Sequence, residues 1–522
     1  MRNNQEINLH IDMVDHKNKT VPEYKRAGRG QARLFSILLM LAALCFAAGC
    51  SKTETLYAGP SLVQTQTADT GGTDASESGG TSKETAGMYT SAGQSEREQS
   101  EREQSEQGQS EKEQAEEDLA DEEQGQKEDI TEITFTAVGD NLINEVLYEQ
   151  AAQRAADAGE GKDYDFAPCY AKISPFIQEH DINWIDIETV MTDSLEPSGY
   201  PAFSTPADSG RALIDAGWNV FSLCSNHTYD QGAEGIRQTL AFWNSMKEKT
   251  GQEETGREET GQEEAGQEKA SQEETGQEKT GLNDSRQTDG ICFTGLWEYG
   301  TEYDIPILTC KGRKFAFLTY TYGTNDIDTP AGSPAHVIYL EEEGLMAYQI
   351  ELAREQADAV IVSLHWGAEY NHEETEDQRA LAQRVADMGA DLIIGGHPHV
   401  AEGAEMLTAA DGRKVFCAYS LGNFLCAQNS MPNPDAMIGL LLSCTFRFTD
   451  EGLEIEDHAL IPILSDYGEN YEDDHVVLYS DYSEEEALAH GMRTMFGFTE
   501  FDYDYVRDML TDVVGEKYLL LP

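Results

Sequence analysis

Apolar and polar positions alternate with a period of two over 132–139, EITFTAVG, and the run ends at Gly139-Asp140, which predicts a strand entering a loop. A second strand is predicted over 182–188, INWIDIE, ending on an acid. Residues 218–224, WNVFSLC, are almost continuously apolar and predict a buried strand that stops at Ser225-Asn226-His227. Further strands are predicted at 305–310, at 314–320, at 359–364 before His365, at 391–394 before Gly395-Gly396-His397, and at 415–421 and 438–448, the last two joined by a Gly-Asn loop. Between them the period becomes helical: at 208–216, at 233–246 with Ile236, Leu240 and Trp243 on one face, at 342–357, and at 377–388 with Leu381, Val385 and Met388 on one face. Strands alternating with helices predict an α/β domain, and the late strands add antiparallel character.

Two stretches carry no such pattern. Residues 51–130 and about 247–290 are rich in Ser, Thr, Gly, Gln and Glu and poor in large apolar residues. They cannot bury enough apolar surface to offset chain entropy, so 51–130 reads as a disordered acidic linker and 247–290 as a low-complexity insert. The insert repeats TGQEE, TGREE, TGQEE, AGQEK, ASQEE and TGQEK over 250–280. A period of five matches neither helix nor strand, which predicts a surface loop without a catalytic part. What remains is one large domain, 131–465, and an extension, 466–522, expected to pack on it.

The first 50 residues differ again. Lys25, Arg26, Arg29 and Arg33 precede the apolar run 34–49, which ends in small residues before Cys50. The run is short for a permanent span and reads as an export signal, with translation starting at Met1 or Met13. Ala47-Ala48-Gly49-Cys50 resembles the lipobox of bacterial lipoproteins, in which the cysteine is lipid-modified and becomes the first residue of the mature chain. The resemblance implies an extracytoplasmic protein, lipid-anchored to the bacterial cell membrane at Cys50, with 51–130 as a tether of roughly 50 Å. An ordinary signal peptide or a short anchor is the alternative reading.

The formal charge is −61, from 36 basic and 97 acidic side chains. This argues against a nucleic-acid partner, because phosphate binding needs a basic surface. It is compatible with a surface-exposed or metal-binding protein, and equally with acid that only keeps the chain soluble. The nine cysteines form no CxxC pair, and Cys224, Cys417 and Cys444, set in apolar runs, read as small core residues.

Charge and pattern meet at the predicted strand ends. Asp140, Glu188, Asn226, His227, His365, His397 and His399 all fall there, the edge at which α/β sheets gather their sites. Taken singly, each has a plain reading: Asp140 a helix N-cap, Glu188 a loop acid, Asn226 and His227 a turn, His365 a ring packed on Trp366, His397 and His399 a satisfied polar turn. Taken together, two carboxylates, an amide and three imidazoles suit a hard or borderline divalent ion, and no clustered thiols suggest a structural zinc site. Two ions sharing a carboxylate can activate water and stabilise charge on a phosphoryl or acyl group, leaving His227 as general acid.

TAVGDNLI at 136–143, DIETVMT at 186–192, SNHTYDQGAEGI at 225–236, HWGAEY at 365–370, GADLIIGGHPHV at 389–400 and YSLGNF at 419–424 resemble, in order, the bacterial capsule-synthesis CapA family. That family is associated with poly-gamma-glutamate and looks like a branch of the calcineurin-like metallophosphoesterases. The resemblance implies a four-layer α/β/β/α sandwich. It implies a metal site for one or two divalent ions (manganese, iron, zinc or magnesium) lined by Asp140, Glu188, Asn226, His365, His397 and His399, with His227 as the catalytic residue beside it. This sequence departs from the pattern in three places. Asp140-Asn141-Leu142 lacks the histidine of Asp-x-His, Glu188 stands where an aspartate often bridges, and Ser225 stands where Asn is usual. Two classes of function follow: a metal-dependent hydrolase or transferase acting on a phosphate ester or gamma-glutamyl amide, in poly-gamma-glutamate synthesis, export or anchoring or unrelated to capsule, or a non-catalytic factor holding an acidic capsule polymer; a capsule-synthesis complex is a candidate partner. An acidic domain repels polyglutamate unless cations intervene.

Overall fold

The computed structural model describes residues 130–159, 161–260, 288–427 and 431–522. The expected signal segment, nearly all of the expected tether and most of the repeat insert lie outside the described residues.

The alternating run at the start of the domain forms β1 (Thr131–Asn141), followed by helix α1 (Glu145–Ala158), which lay outside the predicted elements. Then come β2 (Ile182–Ile187), α2 (Asp208–Ala216), β3 (Val220–Ser222), α3 (Gly232–Thr260) and β4 (Cys292–Thr294). The second half supplies β5 (Ile307–Cys310), β6 (Arg313–Thr321), α4 (Glu343–Gln356), β7 (Ala359–His365), α5 (Glu376–Met388) and β8 (Leu392–Gly396). After them run β9 (Ala404–Thr408), β10 (Lys414–Ala418), β11 (Asn423–Leu425), β12 (Ile438–Thr449), β13 (Gly452–Asp466), β14 (His475–Leu478) and the late helix α6 (Tyr503–Val514).

Among the described residues these strands make two large sheets. One has eight strands in the order β14-β13-β12-β1-β2-β3-β4, with β11 beside β1; the other has six, β9-β10-β8-β7-β6-β5. In the eight-stranded sheet β1, β2, β3 and β4 run parallel while β12, β13 and β14 add antiparallel to the other side of β1; in the six-stranded sheet the centre is parallel and antiparallel hairpins close both edges. The six-stranded sheet shows why this is a sandwich. Phe315, Phe317, Ile361, Ile394 and Phe416 share a core with the eight-stranded sheet, while Leu318, Val362, Ile393 and Val415 share another with α4 and α5. Successive side chains on a strand point to opposite faces, so one apolar face meets the partner sheet and the other meets helices. Phe315 meets Phe446 and Phe448 edge-on at 5.1 and 5.8 Å across the gap. Each such ring contributes about 2–3 kcal/mol by leaving water. With α1 and α2 packed in the core of the first sheet, the architecture is the four-layer α/β/β/α sandwich.

The helix predicted over 233–246 runs instead to Thr260, into the repeat. Gln, Glu, Lys and Arg lose little side-chain freedom in a helix, which lets the helix continue past its last apolar turn despite the recurrent glycine. Residues 466–522 supply β14 and α6, and the backbone of Leu460 exchanges hydrogen bonds with Tyr518 and Leu520 (2.8 and 2.9 Å). The cysteines among the described residues are all buried, and no disulfide links them. No helix of the described residues is long and apolar enough to cross a membrane.

Candidate metal centre

The C-terminal ends of β1, β2, β7 and β8 come together where the two sheets meet. Parallel register sets Asp140 of β1 opposite Asp186 of β2, after a bulge at Gly139. A side chain at 139 would place its Cβ 1.8 Å from the Gly422 carbonyl oxygen, so only glycine lets the 419–424 loop approach β1. Across the other sheet, His365 is in register with Gly396. A Cβ at 396 would lie 2.7 Å from Asp140 Oδ1, so this glycine lets the first sheet's carboxylate reach the second sheet's loop. His397 and His399 then hold φ of 97° and 61°. Left-handed backbone at two non-glycine residues costs about 1–3 kcal/mol each, strain of a kind that collects at functional sites.

That backbone aims the side chains. His399 Nδ1 lies 3.2 Å from Asp140 Oδ2 and 3.0 Å from Asn423 Oδ1, and its Nε2 lies 3.6 Å from Glu188 Oε1. His365 Nδ1 is 3.2 Å from Asp186 Oδ2, and its Nε2 is 3.0 Å from Asn226 Oδ1. The His397 amide donates to the Asp140 carboxylate at 3.2 and 3.3 Å. Donor atoms fall into three overlapping groups, each within 4.8 Å: Asp140 with Glu188 and His399, Asp140 with Asp186 and His365, and His397 and His399 with Glu369. All of these side chains except Glu369 are buried.

The cluster does not satisfy itself. Both carboxylate oxygens of Glu188, Asp186 Oδ1 and His397 Nδ1 are buried without a hydrogen-bond partner. An unpaired buried polar atom costs about 1–3 kcal/mol, and a charge more. Burial pushes the Asp186 carboxyl up to about 7 and raises that of Glu188 well above its usual range, although His399 opposes the second shift. Burial drives His365 down to about 3, and lowers His397 further with the help of His365 and His399. His399 goes the other way: burial opposes its charge, but Glu188 and Asp140 outweigh that and push it up to about 10. A neutral His365 has one N–H to offer two acceptor oxygens, Asp186 Oδ2 and Asn226 Oδ1. Orphaned carboxylate oxygens, imidazoles held neutral and an acceptor facing an acceptor fit a divalent cation, whose identity the ligand set leaves open.

Every residue expected to line the site from the sequence is therefore brought to this edge. His227 stands just outside the three donor groups, on the wall of a cleft of about 750 Å³ that His399 and Glu369 also line. Its Nδ1 donates to Asp230 Oδ2 at 2.7 Å, and Asp230 also accepts from the Phe203 amide at 2.7 Å. The Phe203 ring meets the imidazole edge-on at 4.7 Å. The departures have local consequences. Ser225 Oγ donates to the Glu188 carbonyl at 2.7 Å and accepts from the His227 amide at 3.1 Å, tying the two motifs together. Leu142, where Asp-x-His would carry an imidazole, lines the cleft.

Three residues of the site were absent from the expected set. Asp186 is the penultimate residue of β2 and Glu188 lies just past the strand's end, so the period of two does not single out Asp186. Asp230 follows His227 by three, a spacing that one helical or turn-like step brings into reach. Glu369 follows His365 through a loop, and no periodicity marks it.

A buried imidazole–carboxylate cluster beside an open cleft, at the converging edges of an α/β/β/α sandwich, brings together side-chain groups that could hold a divalent ion. The sequence pattern of the family described as "Bacterial capsule synthesis protein PGA_cap" matches residues 134–265 and 273–428, and the chain belongs to that family. It is 37% identical over 120 residues to the PGA biosynthesis protein CapA of Bacillus subtilis (strain 168), covering 22% of this chain and 30% of that one. It is 35% identical over 101 residues to the capsule biosynthesis protein CapA of Bacillus anthracis, covering 19% and 22%. These matches span less than a third of either relative's length. Among solved structures, the NAD nucleotidase of Haemophilus influenzae aligns with a TM-score of 0.35 at 14% identity, covering 75% of this chain and 57% of that one. A 5'-nucleotidase from Candida albicans aligns with a TM-score of 0.28 at 10% identity, covering 59% and 47%.

Proposed function

We propose that this protein is a metal-dependent hydrolase or transferase of capsule-polymer synthesis, export or anchoring, acting on a phosphate ester or a gamma-glutamyl amide. The observation that carries the reading is Glu188, a fully buried carboxylate whose two oxygens have no hydrogen-bond partner, among imidazoles. Asp140, Asp186, Glu188, Asn226, His365, His397 and His399 would hold one or two ions, with Glu369 at the cleft side. A bound ion there would supply an activated water and a counter-charge for a developing oxyanion. His227, oriented by Asp230, would deliver the proton to the leaving group. Lipid on Cys50 would hold the domain outside the cytoplasmic membrane, where a capsule polymer passes; Cys50→Ala would then release the chain from the membrane fraction.

Leu142 favours a second reading, a non-catalytic factor that holds the polymer, because it removes a ligand from one of two metal positions. Metal stoichiometry and turnover of a generic phosphodiester or gamma-glutamyl substrate separate the two. His397→Gln and His399→Gln should lose metal, since an amide is a far poorer ligand than imidazole. His227→Gln should keep its metal and lose about 10²–10⁴-fold in turnover. Unchanged metal in both of the first two variants defeats the metal-centre reading. Metal without turnover on either substrate leaves the holding factor.

A further inference from the structure

The cleft beside the ligand cluster is large enough for a ligand of drug size. Its charge is one-sided. Glu145, Asp326 and Glu369 stand exposed on its wall and Asp230 lies behind His227, while no lysine or arginine among the described residues lines it. Residues 428–430, just before the lining residue Met431, are Gln-Asn-Ser and bring no charge in sequence. Beside the carboxylates the wall carries aromatic side chains: Tyr200, which is 70% exposed and meets the buried Phe203 edge-on at 6.4 Å between ring centroids, and Tyr370. Recognition of several phosphates or carboxylates needs an arginine or lysine for each charge that the metal centre does not meet. Here each further negative charge meets a carboxylate instead, in a chain of net charge −61.

We infer that the cleft takes a substrate with one anionic group, presented to the ligand cluster, on an uncharged body that lies against Tyr200 and Tyr370, and that it turns polyanions away. This rests on the metal-centre reading for the single anionic group. The rim carboxylates act on approach, as charges at a binding rim do, so their effect depends on salt. A capsule polymer with a carboxylate on every residue therefore does not enter as a free run; it enters with its charges screened or capped, or it is a neutral precursor that enters.

A matched pair of ligands tests this: diphenyl phosphate, and the same diester with a carboxylate on each ring. Binding of both to the full-length protein is measured by calorimetry, with and without manganese, at low and high salt. At low salt the singly charged ligand should bind about tenfold tighter or more, and the gap should close as salt screens the rim. The double reversal Glu145→Lys with Asp326→Lys should narrow the gap by about tenfold at low salt. Equal or tighter binding of the carboxylated ligand overturns the inference. So does a gap that neither salt nor the reversals move, and so does failure of both ligands to bind. Elemental analysis of the same protein reports on the metal-centre reading separately: a chain that holds no divalent metal under any supply defeats that reading, while the ranking of the pair still decides this one.

Discussion

In the C-terminal extension, Asp474 has a wholly buried side chain, and the Arg154 guanidinium of α1 pairs with it. Arg154 also donates to the Asp165 carbonyl and to Cys169 Sγ, and Cys169 donates to Asp474 Oδ2 at 3.0 Å. Beside them is a pocket of about 550 Å³ in which Lys172 meets Glu486 at 2.9 Å and Asp466 accepts from the Tyr482 hydroxyl at 3.3 Å. The strand edge at Glu188 buries its carboxylates as deeply, yet no guanidinium or ammonium reaches them. Both regions carry the cost of desolvating charge. The first offsets it inside the chain, and such a pair holds structure together. The second has one imidazole, His399, held charged beside Asp140 and Glu188, and leaves the rest of its carboxylate oxygens to something from outside, the kind of seat a mobile cation takes.

The comparison breaks most visibly at Arg154. Arg154→Leu strands Asp474, whose carboxyl burial already holds above its usual range, and should cost about 3–5 kcal/mol of stability by urea denaturation. Metal content per folded molecule should stay that of the wild type. A loss under about 1 kcal/mol would mean that the pair is dispensable and that burial of a carboxylate signals little in this protein.

Glu188 tests the other side. In metal-free protein, Glu188→Gln replaces a carboxyl without a hydrogen-bond partner by a group of equal volume that carries no charge, and should leave stability unchanged or raise it by about 1 kcal/mol. In the presence of about a hundredfold excess of metal over its dissociation constant, the wild type should gain about 2.7 kcal/mol, and the variant should gain far less. Thermal scans with and without added metal read both effects. Destabilisation of the metal-free variant would show that Glu188 has a structural partner after all.

How much of this contrast the sequence disclosed follows from how each side is built. Asp140, His365, His397 and His399 were legible because each interrupts a long apolar strand at its end, and the strand pattern is strong. Asp186 was hidden by the same strength: inside INWIDIE it reads as a polar residue of a half-buried strand, and only the register with Asp140 reveals it as part of the cluster. The two-layer closure that brings the strand ends together is a long-range event, and came from resemblance and not from periodicity. The Arg154–Asp474 pair joins residues 320 positions apart, from elements with weak patterns, and no local rule connects them. Residues 466–522 were similarly opaque, because their helices are short and their one added strand, His475–Leu478, pairs with a neighbour already at the sheet's edge.

His458 offers a third way to bury an ionisable group, and so the finest test of the contrast. It sits on β13 stacked on the Phe416 ring, 4.6 Å between centroids, and its Nε2 has no hydrogen-bond partner. It has neither a guanidinium's counterpart nor a place among metal ligands, so it should simply stay neutral. Burial lowers it to about 4, with Asp457 opposing weakly. An unfolded histidine titrates near 6.5, so as pH falls through that value the unfolded chain takes up a proton that the folded chain refuses. The neutral ring's contribution is therefore complete above about pH 6.5, declines as pH falls, and stops declining below the folded value near 4. Because the ring is partly exposed, the loss between about pH 7.5 and about pH 5 should be only about 1 kcal/mol. His458→Phe keeps the stack and removes the proton site, so its stability should fall less than the wild type's over that interval by this amount. Metal should not alter the difference, since His458 takes no part in the cluster. Parallel pH profiles for the two proteins would show that His458 protonates in place, and that this region, unlike the strand edge at Glu188, tolerates an unpaired charge.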